Sequence, residues 1–263
     1  MNLPLFRAHD DPGPSFAELL RRTGFDEPAL TYDGTLPASD FRHGTTCVAV
    51  RYADGVLLAG DRRATSGNLI SHRSLEKVFP ADRHSGVAIA GAAGPAIEMV
   101  KLFQLQLEHY EKVEGGALSL EGKANQLGQM IRGNLPAAMQ GLAVVPIFAG
   151  FDVGRDEGRL FEYDVTGGRY EETETASTGS GSLHAGTVLR MGYRDSLDAA
   201  TVTDLALESL FEAADQDSAT GGPDPVRGIY PVVALITADG YRRLDDDELA
   251  DRTQALIERR RNR

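Results

Sequence analysis

The stretch that decides the fold is Gly44-Thr45-Thr46-Cys47-Val48-Ala49-Val50-Arg51-Tyr52-Ala53-Asp54-Gly55-Val56-Leu57-Leu58-Ala59-Gly60-Asp61. Thr46, Val48 and Val50 alternate with Cys47, Ala49 and Arg51, and a second apolar run comes after Ala53-Asp54-Gly55. Two β-type runs around an Asp-Gly step read as a hairpin. Two registers are open. A two-residue Asp-Gly loop sets Asp61 opposite Val48, on the face away from Thr45, whereas a three-residue loop with Gly55 left-handed sets Asp61 opposite Cys47, on the face of Thr45. Either way Asp61 lies two or three residues along from Thr45, about 7–10 Å at strand rise. It therefore reaches Thr45 through a longer side chain, for which Lys77 is the candidate.

A Gly-Thr step at the head of a strand has a chemical reading as well. Cleavage between Gly44 and Thr45 creates a threonine whose hydroxyl is a nucleophile and whose own α-amino group is the base. Such an amine has a pKa of roughly 7.7–8.0, closer to neutrality than a lysine, and a threonine activated this way is a known covalent catalyst. Residues 1–44 differ in character from the rest of the chain. They carry Pro4, Pro12, Pro14, Pro28 and Pro37, four arginines against seven acidic residues, and one short helical pattern at Phe16, Leu19 and Leu20. That composition fits a weakly ordered arm with a single docking helix.

From Thr45 onward the chain resembles the β subunits of the proteasome of the actinobacterial kind, threonine proteases of the N-terminal nucleophile class. The resemblance rests on Gly44-Thr45-Thr46, Gly60-Asp61-Arg62-Arg63-Ala64-Thr65, Lys77, Ala90-Gly91-Ala92-Ala93-Gly94, Thr178-Gly179-Ser180-Gly181-Ser182 and Asp217-Ser218-Ala219-Thr220-Gly221-Gly222, in that order across most of residues 45–240. It implies a propeptide over 1–44, removed by autocatalysis, and a catalytic domain over 45–263. It implies Thr45 as nucleophile, Lys77 beside its hydroxyl, Asp61 holding the lysine, and Ser180 with Asp217 orienting the α-amino group. Thr220 stands where the family more often has serine, which keeps the hydroxyl. Gly91 matches the position whose N–H binds the oxyanion, and Thr65, Gly91 and Ala93 match positions that bind substrate as an added strand. The pocket before the scissile bond carries over to Ala64, Leu75, Phe79, Ile89, Ala93 and Ile97. All are apolar, which favours large hydrophobic side chains. The resemblance implies no cofactor and no metal. As partners it implies α subunits and other β subunits in stacked, seven-membered rings, a ring-shaped ATPase or other regulator on the α rings, and polypeptide substrates. A two-ring bacterial protease that also begins Thr-Thr has a much shorter precursor segment, and an inactive ring subunit lacks the full set of Thr45, Asp61 and Lys77.

Composition narrows the alternatives. The 263 residues are 41% hydrophobic and 25% charged, ordinary for a globular protein, and 219 remain after removal of 44, enough for one well-buried domain. A net charge of −12 argues against nucleic acid, which needs a basic surface. Cys47 is the single cysteine, so no internal disulfide forms and a reducing compartment is expected; within a strand pattern it reads as a buried small residue rather than a nucleophile. No run approaches the ~18 apolar residues of a membrane span, and Met1–Phe6 lacks the basic region of a signal peptide. A cytoplasmic location is the expectation, with no membrane partner.

The remaining elements read as a buried strand over 86–91, a helix from Pro95, a second helix with Ser119 as N-cap, and strands over 143–151 and 159–165. Next come two helices over 183–191 and 199–214, then strands over 230–237 and 241–244 and a charged terminal helix. Antiparallel strands with helices in consecutive pairs give an α+β fold, a four-layer α-β-β-α sandwich of the N-terminal nucleophile hydrolase type.

Overall fold

The computed structural model describes residues 6–7, 11–25 and 44–262. The hairpin forms: β1 (Thr46–Tyr52) pairs antiparallel with β2 (Gly55–Gly60). Its register is neither of those expected. Tyr52 lies opposite Gly55 and Cys47 opposite Gly60, so the turn residues are Ala53 and Asp54, and neither has positive φ. Gly55 opens β2 instead of serving the turn, because a Cβ there would come within 2.1 Å of the Ile236 carbonyl oxygen on the next strand. The shift brings Asp61 opposite Thr46, whose carbonyl accepts from the Asp61 N–H at 3.1 Å.

Two five-stranded antiparallel sheets are built around this pair. The first has the order β10 (Thr175–Gly179), β1, β2, β11 (Val232–Thr237) and β12 (Gly240–Arg243). The second runs β5 (Val78–Asp82), β6 (Ser85–Ala88), β7 (Ile147–Asp152), β8 (Glu157–Tyr163) and β9 (Arg169–Glu172). A small ribbon, β3 (Ala64–Ser66) with β4 (Leu69–His72), projects between β2 and β5 in sequence. The expected strand over 86–91 ends at Ala88, and beyond it the pairing continues through Ile89 N–H to the Lys77 carbonyl and a bridge between Gly91 and Val144.

Because β1 and β2 are covered on both faces, they read as nearly continuous apolar runs. Cys47, Ala49, Val56 and Leu58 point at the second sheet and meet Ala88, Ile147, Ala149 and Leu160. Val48, Val50, Leu57 and Ala59 point the other way, against Leu189 of α5 (Ser182–Gly192) and Leu207 and Leu210 of α6 (Ala199–Gln216). Leu249 and Leu256 of α7 (Asp246–Arg261) join that layer. On the far side, Val87, Phe148 and Phe161 pack under α2 (Ala93–Glu114) and α3 (Leu120–Gly133). The order of layers is helix pair, sheet, sheet, helix pair, as expected. Caps set the helix starts: Ser119 accepts from Gly122 N–H at 3.1 Å and Asp198 from Thr201 N–H at 2.7 Å. The arm contributes α1 (Phe16–Thr23), whose Leu19 is buried with Phe6 against Leu105 of α2. The rest of the composition-defined arm, including residues 26–43, lies outside the described residues. Among the described residues, no helix is long and apolar enough to cross a membrane.

Candidate active site

Five segments meet at the head of β1: the Gly44–Thr45 peptide, the stretch from Asp61 to Thr65 after β2, the residue before β5, the residue after β10, and the turn after α6. Asp61, Lys77 and Asp217 are delivered there by the ends of regular elements, which is why residues so distant in sequence converge.

Lys77 is almost wholly buried, at 1% exposure. Such a cation is costly unless its protons are all accepted. They are: its Nζ donates to Asp61 Oδ1 at 2.6 Å, to the Arg63 carbonyl at 2.5 Å and to the Gly44 carbonyl at 3.4 Å. Asp61 is equally well served. Oδ1 also accepts from Thr46 N–H at 2.8 Å, and Oδ2 accepts from Arg63 N–H at 2.9 Å and Gly221 N–H at 2.8 Å. Asp61 thus holds Lys77, and Lys77 extends to the carbonyl of Gly44, the residue before Thr45, in a hairpin register that differs from both of those expected.

Thr45 is buried, and its Oγ1 donates to the Gly44 carbonyl oxygen at 2.8 Å, the oxygen that Lys77 also approaches. The peptide before Thr45 is held from both sides, with Gly44 N–H donating to Thr65 Oγ1 at 3.0 Å and Thr45 N–H to Ser180 Oγ at 3.3 Å. Ser180 in turn donates to Asp217 Oδ2 at 2.5 Å, and Thr220 donates to the same oxygen at 2.6 Å. Burial works to raise the Asp217 carboxyl, but hydrogen bonds from Ser180, Thr220 and the Ala219 N–H outweigh it and hold the group below the usual carboxylate range.

Gly91 has φ +102°, a left-handed conformation that favours glycine, and a Cβ would lie 2.1 Å from the Ala143 carbonyl oxygen. The bridge beside it uses Ala92 N–H and the Ala90 carbonyl, not the Gly91 amide. Of the apolar positions, Phe79 and Ile89 come together in one cluster with Ile97 of α2 packed against it. Ala93 opens that helix, Ala64 is buried on β3, and Leu75 is half-buried between β4 and β5. Cys47 is inaccessible, and burial pushes its thiol up to about 12, so it is no nucleophile. Among the described residues no cluster of His, Cys, Asp or Glu gathers that could hold a metal ion.

Sequence reasoning missed two contributors. Arg63 offers its N–H to Asp61 and its carbonyl to Lys77, while its guanidinium donates to the carbonyls of Ser218 and Thr220 at 3.1 and 3.0 Å. Thr46 contributes both an N–H to Asp61 and a hydroxyl to Thr220. Arg63 and Thr46 both sit inside the motifs that carry the family resemblance, but their backbone roles leave no mark on residue type.

A model of the proteasome subunit family matches residues 41–226, a span that holds every residue of this site. The chain belongs to the proteasome subunit family. It is 60% identical over 249 residues to a proteasome subunit beta of Acidimicrobium ferrooxidans, covering 95% of this chain and 91% of that one. It is 59% identical over 218 residues to a proteasome subunit beta of Streptomyces griseus, covering 83% of this chain and 78% of that one. Within the family its likeness is thus to β subunits, and the layered fold agrees with that.

Proposed function

We propose that this chain is the catalytic β subunit of a proteasome core particle, a threonine-type endopeptidase that removes its own residues 1–44 and then uses Thr45 as an N-terminal nucleophile. The carrying observation is the shared oxygen: the Gly44 carbonyl accepts from Thr45 Oγ1 at 2.8 Å and faces Lys77 Nζ at 3.4 Å. A cation beside that carbonyl polarises it and stabilises the negative charge that attack creates.

In the first step Thr45 Oγ bonds to the Gly44 carbonyl carbon, its proton passes to the Thr45 nitrogen, and the Gly44–Thr45 C–N bond breaks. The product is an ester of Gly44 on Thr45 Oγ with a free α-amine. Water then cleaves the ester, releasing the Gly44 carboxylate and restoring the hydroxyl. In each later turnover the neutral α-amine takes the Oγ proton as Oγ attacks a substrate carbonyl, then returns it to the leaving amine. Ser180, backed by Asp217, directs the amine. The amide of Gly91 serves the oxyanion, and the backbone at Thr65, Gly91 and Ala93 holds substrate as an added strand. Ala64, Leu75, Phe79, Ile89, Ala93 and Ile97 receive a large apolar side chain before the scissile bond.

Assembly with other proteasome subunits comes with family membership. The finer reading places this chain in stacked seven-membered β rings capped by α rings, with an ATPase or other regulator feeding unfolded or tagged cytoplasmic protein. An inactive ring subunit is the weaker reading, because Thr45, Asp61, Lys77, Ser180 and Asp217 are all present and connected. Co-expression with α subunits, with N-terminal sequencing and intact mass of the product, tests the proposal. Wild type begins at Thr45 and cleaves peptides, and Thr45→Ala keeps residues 1–44 and is inactive. Efficient processing of Thr45→Ala without added protease rules the mechanism out.

A further inference from the structure

Thr46 has a side chain that the proposed mechanism does not use. It is fully buried, and its Oγ1 lies 2.5 Å from Thr220 Oγ1 and accepts from Gly181 N–H at 3.1 Å. The direction of the Thr46–Thr220 contact is fixed by what lies beyond it. Asp217 Oδ2 is a carboxylate oxygen that only accepts, so the single Thr220 proton goes there at 2.6 Å. Thr46 must then be the donor to Thr220, and its lone pair is left for Gly181. On the other side Ser180 donates to the same Asp217 oxygen at 2.5 Å and accepts from Thr45 N at 3.3 Å. The hydrogen bonds thus leave residue 46 and return to residue 45 through Thr220, Asp217 and Ser180.

We infer that Thr46 is a positioning residue for the reaction, its hydroxyl acting through Thr220 and Asp217 to hold Ser180, and with it the nitrogen of Thr45, in the orientation that catalysis needs. The inference rests on the reading of Thr45 as an N-terminal nucleophile. The relay matters because Ser180 has a competing acceptor: its hydroxyl is also 3.2 Å from the Thr45 carbonyl oxygen. Asp217 wins while it stays in place, and Thr220 is one of the groups that keep it there. Without the Thr46 proton, the Thr220 hydroxyl is free to rotate away from Asp217, and Ser180 turns toward the Thr45 carbonyl. The amine of Thr45 then loses the partner that aims its lone pair at Oγ.

The charged groups of the site are Asp61 and Lys77, with Arg63, from the segment between β2 and β5, Asp217 at the end of α6, which reaches the Thr45 nitrogen through Ser180, and His184 of α5, whose charge acts on Asp217. Removal of the Thr46 hydroxyl changes only the Asp217 side of this set. A carboxylate held less closely stabilises the protonated amine less, so the acid limb of activity moves to lower pH.

The test uses the particle co-expressed with α subunits and a fluorogenic peptide with a large apolar residue before the scissile bond. Thr46→Val keeps the shape and removes the hydroxyl. It lowers kcat by roughly ten- to a hundredfold, the scale of a misaimed catalytic group, leaves KM within about twofold, and shifts the acid limb of kcat/KM downward. Thr46→Ser restores all three. If Thr46→Val yields no processed particle, Thr220→Val gives the same kcat loss and pH shift from the other end of the relay. Wild-type kcat and an unmoved acid limb in the Val variants overturn the inference, as does a Ser variant as impaired as Val. A wild-type chain not cleaved before Thr45, or an active Thr45→Ala, sinks the underlying mechanism and this inference together; inactive Thr45→Ala beside wild-type-like Thr46→Val sinks only the relay.

Discussion

Lys77 and Asp61 meet at 2.6 Å in the interior, with neither side chain more than 2% exposed. The pair is asymmetric. Without Lys77, Asp61 still accepts three backbone N–H groups, from Thr46, Arg63 and Gly221. Without Asp61, Lys77 is a buried cation facing only two carbonyls, and those three N–H groups lose their acceptor.

Stability and activity should therefore separate. Asp61→Ala is expected to destabilise the fold by about 3–5 kcal/mol, the cost of breaking a buried pair, and Lys77→Met by clearly less. Both abolish processing and peptidase activity, because the groups work as a unit. Denaturant unfolding beside intact mass checks this. Equal destabilisation by the two variants would mean that the backbone donors do not support Asp61 as described.

The hairpin, the helix pairs and the four layers were legible because long apolar runs and capped amphipathic stretches carry strong periodicity. The short strands were not. β3, β4, β5, β9 and β10 span three to five residues each, too few for alternation to show, and Pro80 and the charges of Arg169–Glu172 obscure them further. The register failed at Gly55 for a tertiary reason, since the close approach of Ile236, far along the chain, claims the glycine that local turn chemistry would use. The motifs that carry the family resemblance marked Thr45, Asp61, Lys77, Ser180 and Asp217 as candidates. Residue type could not reveal Arg63, whose N–H and carbonyl join Asp61 to Lys77, because any residue supplies those atoms.

The depressed titration of Asp217 has a defined effect on stability. Its hydrogen bonds favour the ionised form in the folded chain, so its contribution is fully present above the ordinary carboxylate pKa of roughly 3.9 and is lost as pH falls through the lower folded value. In Asp217→Asn this part of the acid-side decline disappears. The stability difference between wild type and variant should be constant from neutral pH to about pH 5 and shrink below about pH 4. A difference that instead grows on acidification would contradict the assigned sign.

Leu19 anchors the N-terminal arm. It is fully buried beside Phe6 and Leu105, and Lys112 lies 3.5 Å from the Phe6 ring centroid. Truncation in Leu19→Ala is expected to weaken docking of α1 by about 2–5 kcal/mol, enough to expose it to protease. In the Thr45→Ala background, where residues 1–44 stay attached, limited proteolysis should cut within Phe16–Thr23 while the unfolding midpoint of the rest stays near its starting value. A midpoint lowered as much as for a core substitution would mean that the arm is integral to the sandwich.

Cys47 offers an internal probe of the sandwich itself. Its side chain is enclosed between the two sheets with Ala88 and Ile147, its Sγ lies 3.4 Å from the Ile89 carbonyl oxygen, and burial raises the thiol to about 12. Both enclosure and low thiolate content suppress alkylation in the native state. A maleimide should therefore label Cys47 only through opening of the inter-sheet core, at a rate that tracks the population of the opened form. Labelling of wild type should be negligible over hours and accelerate in denaturant in step with unfolding, and Asp61→Ala should label faster than Lys77→Met, in the order of their stabilities. Rapid labelling of the native wild type would show that the sheets part at the head of β1 without global unfolding, next to the nucleophile.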